Sequence, residues 1–241
     1  MKHPDYPFMA MILAGGLGVR LRPVLSDRPK PLALVHGVPF IDILIDSLAS
    51  KGVRRFAILT GYMGHMIEEH LKDKYGNKLD IAFSQEEEPL GTGGAVRHAA
   101  RFATDSTLLV NGDTFFDADL DRLSRFHSEK GARATLSLVK AQDPGRYGSV
   151  EVDQNGRVTG FREKDASSRG PGLVNAGVSM LSKGFILDLP DIGRFSMEKD
   201  VFPKVAARGE LFALCQDRAF FDIGTPESYE AFQAFMGSCA P

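Results

Sequence analysis

The sequence predicts an α/β fold: a Rossmann-like, mostly parallel mixed sheet flanked by helices, with a small antiparallel insertion in its second half. Three observations carry this expectation. Short apolar runs alternate with helix-period segments through the first half, the pattern of stacked βαβ units. The first apolar run ends in a glycine cluster, and later an Asn-Gly turn joins two alternating runs as in a hairpin. The 241 residues are 43% hydrophobic and 25% charged, proportions that can bury a core and still cover it with a solvated surface.

Each element has its own warrant. Phe8–Ala14 is a continuous apolar run closed by Gly15-Gly16, as expected of a central strand buried on both faces. After a long loop, Phe40, Ile41, Leu44, Ile45 and Leu48 recur at helical spacing up to Ser50, with Gly52 placed to close the helix. Residues 55–60 read as a strand, 65–74 as a helix, 79–84 as a strand, and 94–103 as an alanine-rich helix. A buried strand at 107–111 runs into Gly112-Asp113, and a helix follows from about Leu120 to Lys130. Beyond a strand at 133–140, runs 147–152 and 157–162 flank Asp153-Gln154-Asn155-Gly156, a hairpin turn. Residues 173–181 read as a strand returning to the main sheet, and 211–215 and 219–223 as short strands. Thr225 is placed to cap a last helix with Pro226 in its first position.

Composition excludes several functions. The formal net charge is -2, so no global basic field exists to hold a nucleic-acid backbone. No run approaches the roughly 20 apolar residues of a membrane helix, no leader pattern opens the chain, and a cytoplasmic location is expected. Cys215 and Cys239 lack the number and spacing of a disulfide framework or zinc site and read as reduced thiols. The histidines form no i,i+4 metal pair, and no Gly-x-Ser-x-Gly elbow occurs. Neither internal repeats nor a long linker divides the chain. One domain over 1–241 is expected.

Charge matters only locally. Arg20, Arg22, Arg28 and Lys30 fall in a short stretch containing one acid, Asp27; charge alone reads this as a solvated loop or as a small-anion site. It follows Leu13-Ala14-Gly15-Gly16-Leu17-Gly18, where glycines after a first strand let backbone amides approach a phosphate. Leu21 stands where a dinucleotide fingerprint needs its third glycine, and no Lys-Ser/Thr follows Gly18 as in a P-loop. Asp113 and Asp222 each end a strand-like run; taken singly, either could be a helix cap or loop acid.

The string from Gly15 through Arg20, Leu21 and Pro23 to Pro29-Lys30-Pro31 resembles the signature GGxGxRLxPxxxxxPKP of the sugar-phosphate nucleotidyltransferases. Further motifs follow in family order: Glu88-Pro89-Leu90-Gly91-Thr92-Gly93-Gly94-Ala95, Asn111-Gly112-Asp113, Tyr147-Gly148, Glu163-Lys164, Asn175-Ala176-Gly177, and Phe221 to Pro226. The resemblance implies the nucleotide-diphospho-sugar transferase fold, with a nucleotide half to about residue 115, a sugar half beyond it and no hexapeptide repeat of a C-terminal β-helix, and the joining of a nucleoside triphosphate to a sugar 1-phosphate with release of pyrophosphate. It implies nucleotide contacts from Leu13, Ala14, Gly15, Gly16, Gly18, Arg20, Lys30, Gln85, Pro89, Leu90, Gly91, Thr92 and Gly93. Gln85 is the expected reader of the base. Sugar-phosphate contacts are implied for Asn111, Gly112, Tyr147, Gly148, Glu163, Lys164 and Asn175, and Mg²⁺ ligation for Asp113 and Asp222.

Two anions must meet in such a reaction, so cations are needed on both sides of the reacting phosphorus. Arg20 suits the β/γ-phosphates through its fork, Lys30 the α-phosphate as a point charge, and Lys164 the sugar phosphate. Together with Asp113 these form the expected catalytic set. Carboxylates plus phosphates are the ordinary surroundings of Mg²⁺. The second loop and the Phe221-Asp222-Ile223-Gly224 string resemble the guanylyltransferases of mannose- and heptose-type 1-phosphates, above all those acting on D-glycero-α-D-manno-heptose 1-phosphate. GTP and that heptose phosphate are therefore the favoured substrates, feeding bacterial cell-surface glycans. Alternatives are a UDP-forming enzyme acting on MurNAc 1-phosphate, a GDP-mannose-forming enzyme, and a sugar-nucleotide sensor without turnover. Assembly of several copies is left open.

Overall fold

The computed structural model describes residues 5–16, 18, 21, 27–142, 148–162, 171–191 and 193–238. Strand β1 (Met9–Ala14) leads to a 3₁₀ turn at Lys30–Leu32, a short ribbon of β2 (Leu34–Val35) and β3 (Val38–Pro39), and helix α1 (Phe40–Ser50). Next come β4 (Arg55–Thr60), α2 (Gly64–Tyr75), β5 (Asp80–Gln85), α3 (Gly91–His98), β6 (Ser106–Asn111), β7 (Thr114–Phe116) and α4 (Leu120–Glu129). The second half contributes β8 (Ala134–Ala141), β9 (Ser149–Val152), β10 (Val158–Arg162), β11 (Gly172–Ser182) and α5 (Lys183–Leu187). A π-helical turn at Met197–Val201 then enters α6 (Phe202–Ala207), followed by β12 (Leu211–Cys215), β13 (Phe220–Asp222) and α7 (Pro226–Ser238).

The main sheet has seven strands in the order β12-β8-β11-β6-β1-β4-β5. Pairs β1–β4, β1–β6, β4–β5 and β12–β8 are parallel, and β11 runs antiparallel between β6 and β8. Alternation along β1 explains why helices cover both faces. Ala10, Ile12 and Ala14 pack with Ile41, Ile45, Ile67 and Leu71 of α1 and α2, whereas Met9 and Met11 pack with Val96 of α3 and Phe202 of α6. A third cluster joins Phe40 and Leu44 of α1 to Ile223 and Phe232, with the Phe40 and Phe232 rings edge to face at 5.3 Å. This fixes α7 beside the β7–β13 ribbon.

The sequence-based fold class matches this architecture, including the antiparallel β9–β10 hairpin. Asp153 closes that hairpin's turn by accepting from the amides of Asn155 and Arg157. Two differences have physical causes. Helix α3 begins at Gly91, three residues before the expected Gly94, because packing overrides the low helix propensity of its glycines. Residues 183–207, unassigned from sequence, hold α5, the π-turn and α6. Their start signals were the caps Ser182 and Ser196, which accept from the amides of Phe185 and Lys199. Among the described residues, no helix is long and apolar enough to cross a membrane.

Candidate active site

The chain from β1 crosses to β4 and β5 on one side and returns through α3 to β6 on the other, so the strand order reverses between β6 and β1. In open α/β sheets, the carboxyl ends of the strands at such a reversal form a crevice for ligands. Here a cavity of about 460 Å³ occupies that crevice. Leu13, Ala14, Gly15, Gly16 and Gly18 form its floor, Asn111, Gly112 and Asp113 one wall, and Pro89, Gly91 and Thr92 the other. Gly112 is required between two strands: its amide donates to the Leu13 carbonyl at 2.9 Å, and a Cβ there would collide with that same carbonyl.

The 3₁₀ turn at Lys30–Leu32 brings Lys30 across the mouth of β6. Its Nζ lies 2.8 Å from Asp113 Oδ2; the lysine side chain is 9% exposed and the carboxylate 42%. Asp113 Oδ1 accepts from Thr114 Oγ1 at 3.2 Å. Antiparallel pairing of β7 with β13 sets Asp222 opposite Thr114, and the Ile223 amide donates to the Asp113 carbonyl at 2.9 Å. Asp222 Oδ1 accepts from the Gly224 amide at 2.5 Å, which fixes its carboxylate beside the cavity that Gly224 helps to line. Two carboxylates on adjoining strand ends are a hard oxygen pair, suited to Mg²⁺ completed by phosphate oxygens and water. Among the described residues, no group of three or more His, Cys, Asp or Glu side chains forms a self-sufficient metal cage.

The base-reading expectation and the geometry part company by one residue. Gln85 ends β5 with its side chain exposed and outside the cavity wall, while Glu86 is half-buried and lines it. Side-chain direction alternates as the chain leaves the strand, so one step decides which residue faces the crevice. Glu86 Oε2 accepts from the Leu90 amide at 3.1 Å, and Oε1 lies where a Cβ on Gly15 or Gly61 would come within 2.8 or 2.9 Å. Burial is the main influence on this carboxyl and pushes its pKa up; the Leu90 amide and the charges of His98 and Arg194 work against that shift. Pro31 and Ala95, which close two of the quoted motifs, also line the cavity, as does Arg194, to which no motif in the sequence pointed.

Leu90 and Gly93 stand behind the wall rather than in it. Gly93 is buried, and its amide donates to the Phe195 carbonyl at 3.0 Å. On the side expected for the sugar, β11 carries an irregularity between Asn175 and Ser179, where the Asn175 side chain accepts from the Gly177 amide at 3.1 Å. Gly177 approaches Asn111 so closely that a Cβ would lie 3.1 Å from its side-chain nitrogen, which brings Asn111 and the Asn175 bulge together. Gly148 directly precedes β9 with a positive φ of 76°. Arg20, Tyr147, Glu163 and Lys164 lie outside the described residues.

Known proteins resemble this chain over nearly its whole length. The chain is 36% identical over 226 residues to a D-glycero-alpha-D-manno-heptose 1-phosphate guanylyltransferase from Campylobacter jejuni, a match covering 92% of this chain and 97% of that one. An enzyme of the same name from Aneurinibacillus thermoaerophilus is also 36% identical, over 93% and 96% of the two chains. Crystal structures of HddC from Yersinia pseudotuberculosis superpose with a TM-score of 0.84 over 95% of this chain and 99% of that one. They are 34% identical, and 33% for the form complexed with GMP-PN. The nucleotidyl transferase profile matches residues 9–238, and the chain belongs to that family.

Proposed function

We propose that this protein transfers the guanylyl group of GTP to D-glycero-α-D-manno-heptose 1-phosphate with the help of Mg²⁺. One phosphate oxygen of the sugar 1-phosphate forms a bond to the α-phosphorus, the bond from that phosphorus to the bridging oxygen breaks, and pyrophosphate leaves. Lys30 meets the charge that develops on the α-phosphate, and Asp113 and Asp222 hold the cation. Bound there, Mg²⁺ supplies charge neutralisation between the phosphates. Arg20 and Lys164 keep the roles that the family motif gives them, on the β/γ-phosphates and the sugar phosphate. The reaction is placed in the cytoplasm, supplying nucleotide-activated heptose for surface glycans.

The observation that carries the choice of base is Glu86 in the cavity wall. Guanine presents N1–H and N2–H₂ side by side as donors, a match for one carboxylate. Adenine turns a lone pair toward the same position, and uracil offers a single N–H between two carbonyls. A polar site left unpaired by the wrong base discriminates strongly, so GTP should exceed ATP, UTP and dTTP in kcat/KM by at least about tenfold. The heptose is supported by the names of the relatives. A panel crossing these four nucleotides with heptose, mannose, glucose and MurNAc 1-phosphates, read by pyrophosphate release, tests both choices. GTP with the heptose phosphate is the expected best pair; UTP with MurNAc 1-phosphate as the best pair would overturn the assignment.

A further inference from the structure

The cavity wall at Gly91 and Thr92 belongs to a stretch, residues 90–94, that a second segment braces from outside. That segment comes from the other half of the chain, residues 193–198 with Asp191 ahead of them, and is strapped across the outer side. The Phe195 amide donates to the Leu90 carbonyl at 3.0 Å, and the Gly93 amide donates to the Phe195 carbonyl at 3.0 Å. The contact is close enough that a Cβ on Gly91 would fall 2.5 Å from the Phe195 carbonyl oxygen, and one on Gly93 would collide with the Phe195 ring. Two glycines of this loop are thus demanded by the strap, whatever a nucleotide also requires of them.

Thr92 completes the attachment. Its hydroxyl donates to Glu198 Oε2 at 2.8 Å and accepts from the Met197 amide at 2.9 Å. The same Glu198 oxygen accepts from Ser196 Oγ at 2.8 Å, and Ser196 in turn caps the π-turn. Arg97 of α3 pairs with Asp191 at 3.1 Å, fastening the far end of the strap. Between these ties, the strap carries Arg194 into the cavity wall.

We propose that Glu198 is a positioning residue. Through the Thr92 hydroxyl it fixes residues 90–94 in the shape that receives the triphosphate, so that a segment of the sugar half sets nucleotide affinity. This rests on the reading that the triphosphate occupies the cavity at the ends of β1 and β6. It does not depend on which base is read. Glu198 is exposed and outside the cavity lining, and the wall residue that it touches is Thr92.

The test compares Glu198→Ala, Thr92→Val, Thr92→Ser and the Glu198→Ala/Thr92→Val double variant with the unaltered enzyme. Each is assayed with the triphosphate that the unaltered enzyme turns over best, so a wrong base assignment and a wrong latch are told apart. Loss of one charge-assisted hydrogen bond should raise KM for the triphosphate about five- to twentyfold, with KM for the sugar 1-phosphate within about twofold. Thr92→Ser, which keeps the hydroxyl, should recover most of that loss. Both changes break the Thr92–Glu198 bond, and Thr92→Val also leaves the Met197 amide unpaired, so the double variant should be little worse than Thr92→Val alone. Thermal midpoints measured alongside identify a purely structural role, in which kcat falls with the folded fraction and neither KM moves. That result, or additive effects in the double variant, would overturn the proposal.

Discussion

Lys30 Nζ and Asp113 Oδ2 are 2.8 Å apart although 83 residues separate them in the chain, so the cation expected on the α-phosphate is paired with a carboxylate expected on the metal. The pair is asymmetric: the ammonium is almost wholly enclosed and the carboxylate reaches into the cavity. On the proposed reading, Mg²⁺ would compete with Lys30 for Asp113, and the triphosphate would offer Lys30 a replacement anion. Cation and nucleotide should therefore bind with positive coupling. Replacing Lys30 with Ala removes a charge used mainly in the transition state and should lower kcat by roughly 10²–10³, with a smaller change in nucleotide affinity. Turnover above half that of the unaltered enzyme would remove Lys30 from the reaction.

Asp113→Asn and Asp222→Asn keep side-chain shape while removing a ligand charge, so each should shift Mg²⁺ dependence to higher concentration and lower turnover. Their effects should not add. The backbone tie from the Ile223 amide to the Asp113 carbonyl holds the two strand ends as one unit, and loss of either carboxylate already dismantles a shared site. Mg²⁺ titrations in which either single variant matches the unaltered enzyme would sink the shared-ion assignment.

His127 of α4 predicts a weakness in acid. It is 4% exposed, its Nδ1 lies 2.9 Å from Thr135 Oγ1 on β8, and burial lowers its pKa to about 4. The unfolded chain takes up this proton at its ordinary pKa of about 6.5, whereas the folded chain resists it until about 4. The neutral ring therefore contributes stability in full above pH 6.5, and that contribution is lost as pH falls toward 4. By linkage the loss approaches about 3 kcal/mol. His127→Asn offers a partner to Thr135 without titrating, and its urea-unfolding free energy should fall less between pH 7 and 4.5. Equal losses in the two proteins would refute the assignment.

The main sheet was legible because buried parallel strands are written as short apolar runs with turn residues after them, and 55–60 and 211–215 are strands with the bounds read from sequence. The glycine loop, Lys30 and Asp113, singled out through the motif resemblance, line one cavity, because residues in the loop after the first strand and at the end of β6 meet where the strand order reverses. Residues 183–207 were not, since α5 and α6 are only five and six residues long and too short to show a helical period. The strap built from Phe195, Met197 and Glu198 had no signal in sequence, because its partners at Leu90, Thr92 and Gly93 are about a hundred residues away. Gln85 against Glu86 shows a different limit. Both are polar residues at the end of one strand, and only the backbone geometry decides which one faces the crevice.

Glu86 carries the last prediction, in which base selection and pH response share one cause. Burial raises its carboxyl pKa, so the folded chain binds this proton more tightly than the unfolded one. Its stabilising contribution is complete below the ordinary carboxylate pKa and is lost as pH rises through the raised value, so the ionised form at neutral pH is held at a cost. On the proposed reading, only that ionised form can accept both donors of guanine. KM for GTP should therefore climb as pH falls through the raised pKa, with no matching change for the sugar 1-phosphate. Glu86→Gln should flatten this acid limb and lower kcat/KM for GTP by about tenfold or more at neutral pH, while ATP changes little. The thermal midpoint should hold or rise slightly, since the buried charge is gone. A variant that keeps both the preference for GTP and the acid limb would place base recognition elsewhere in the cavity.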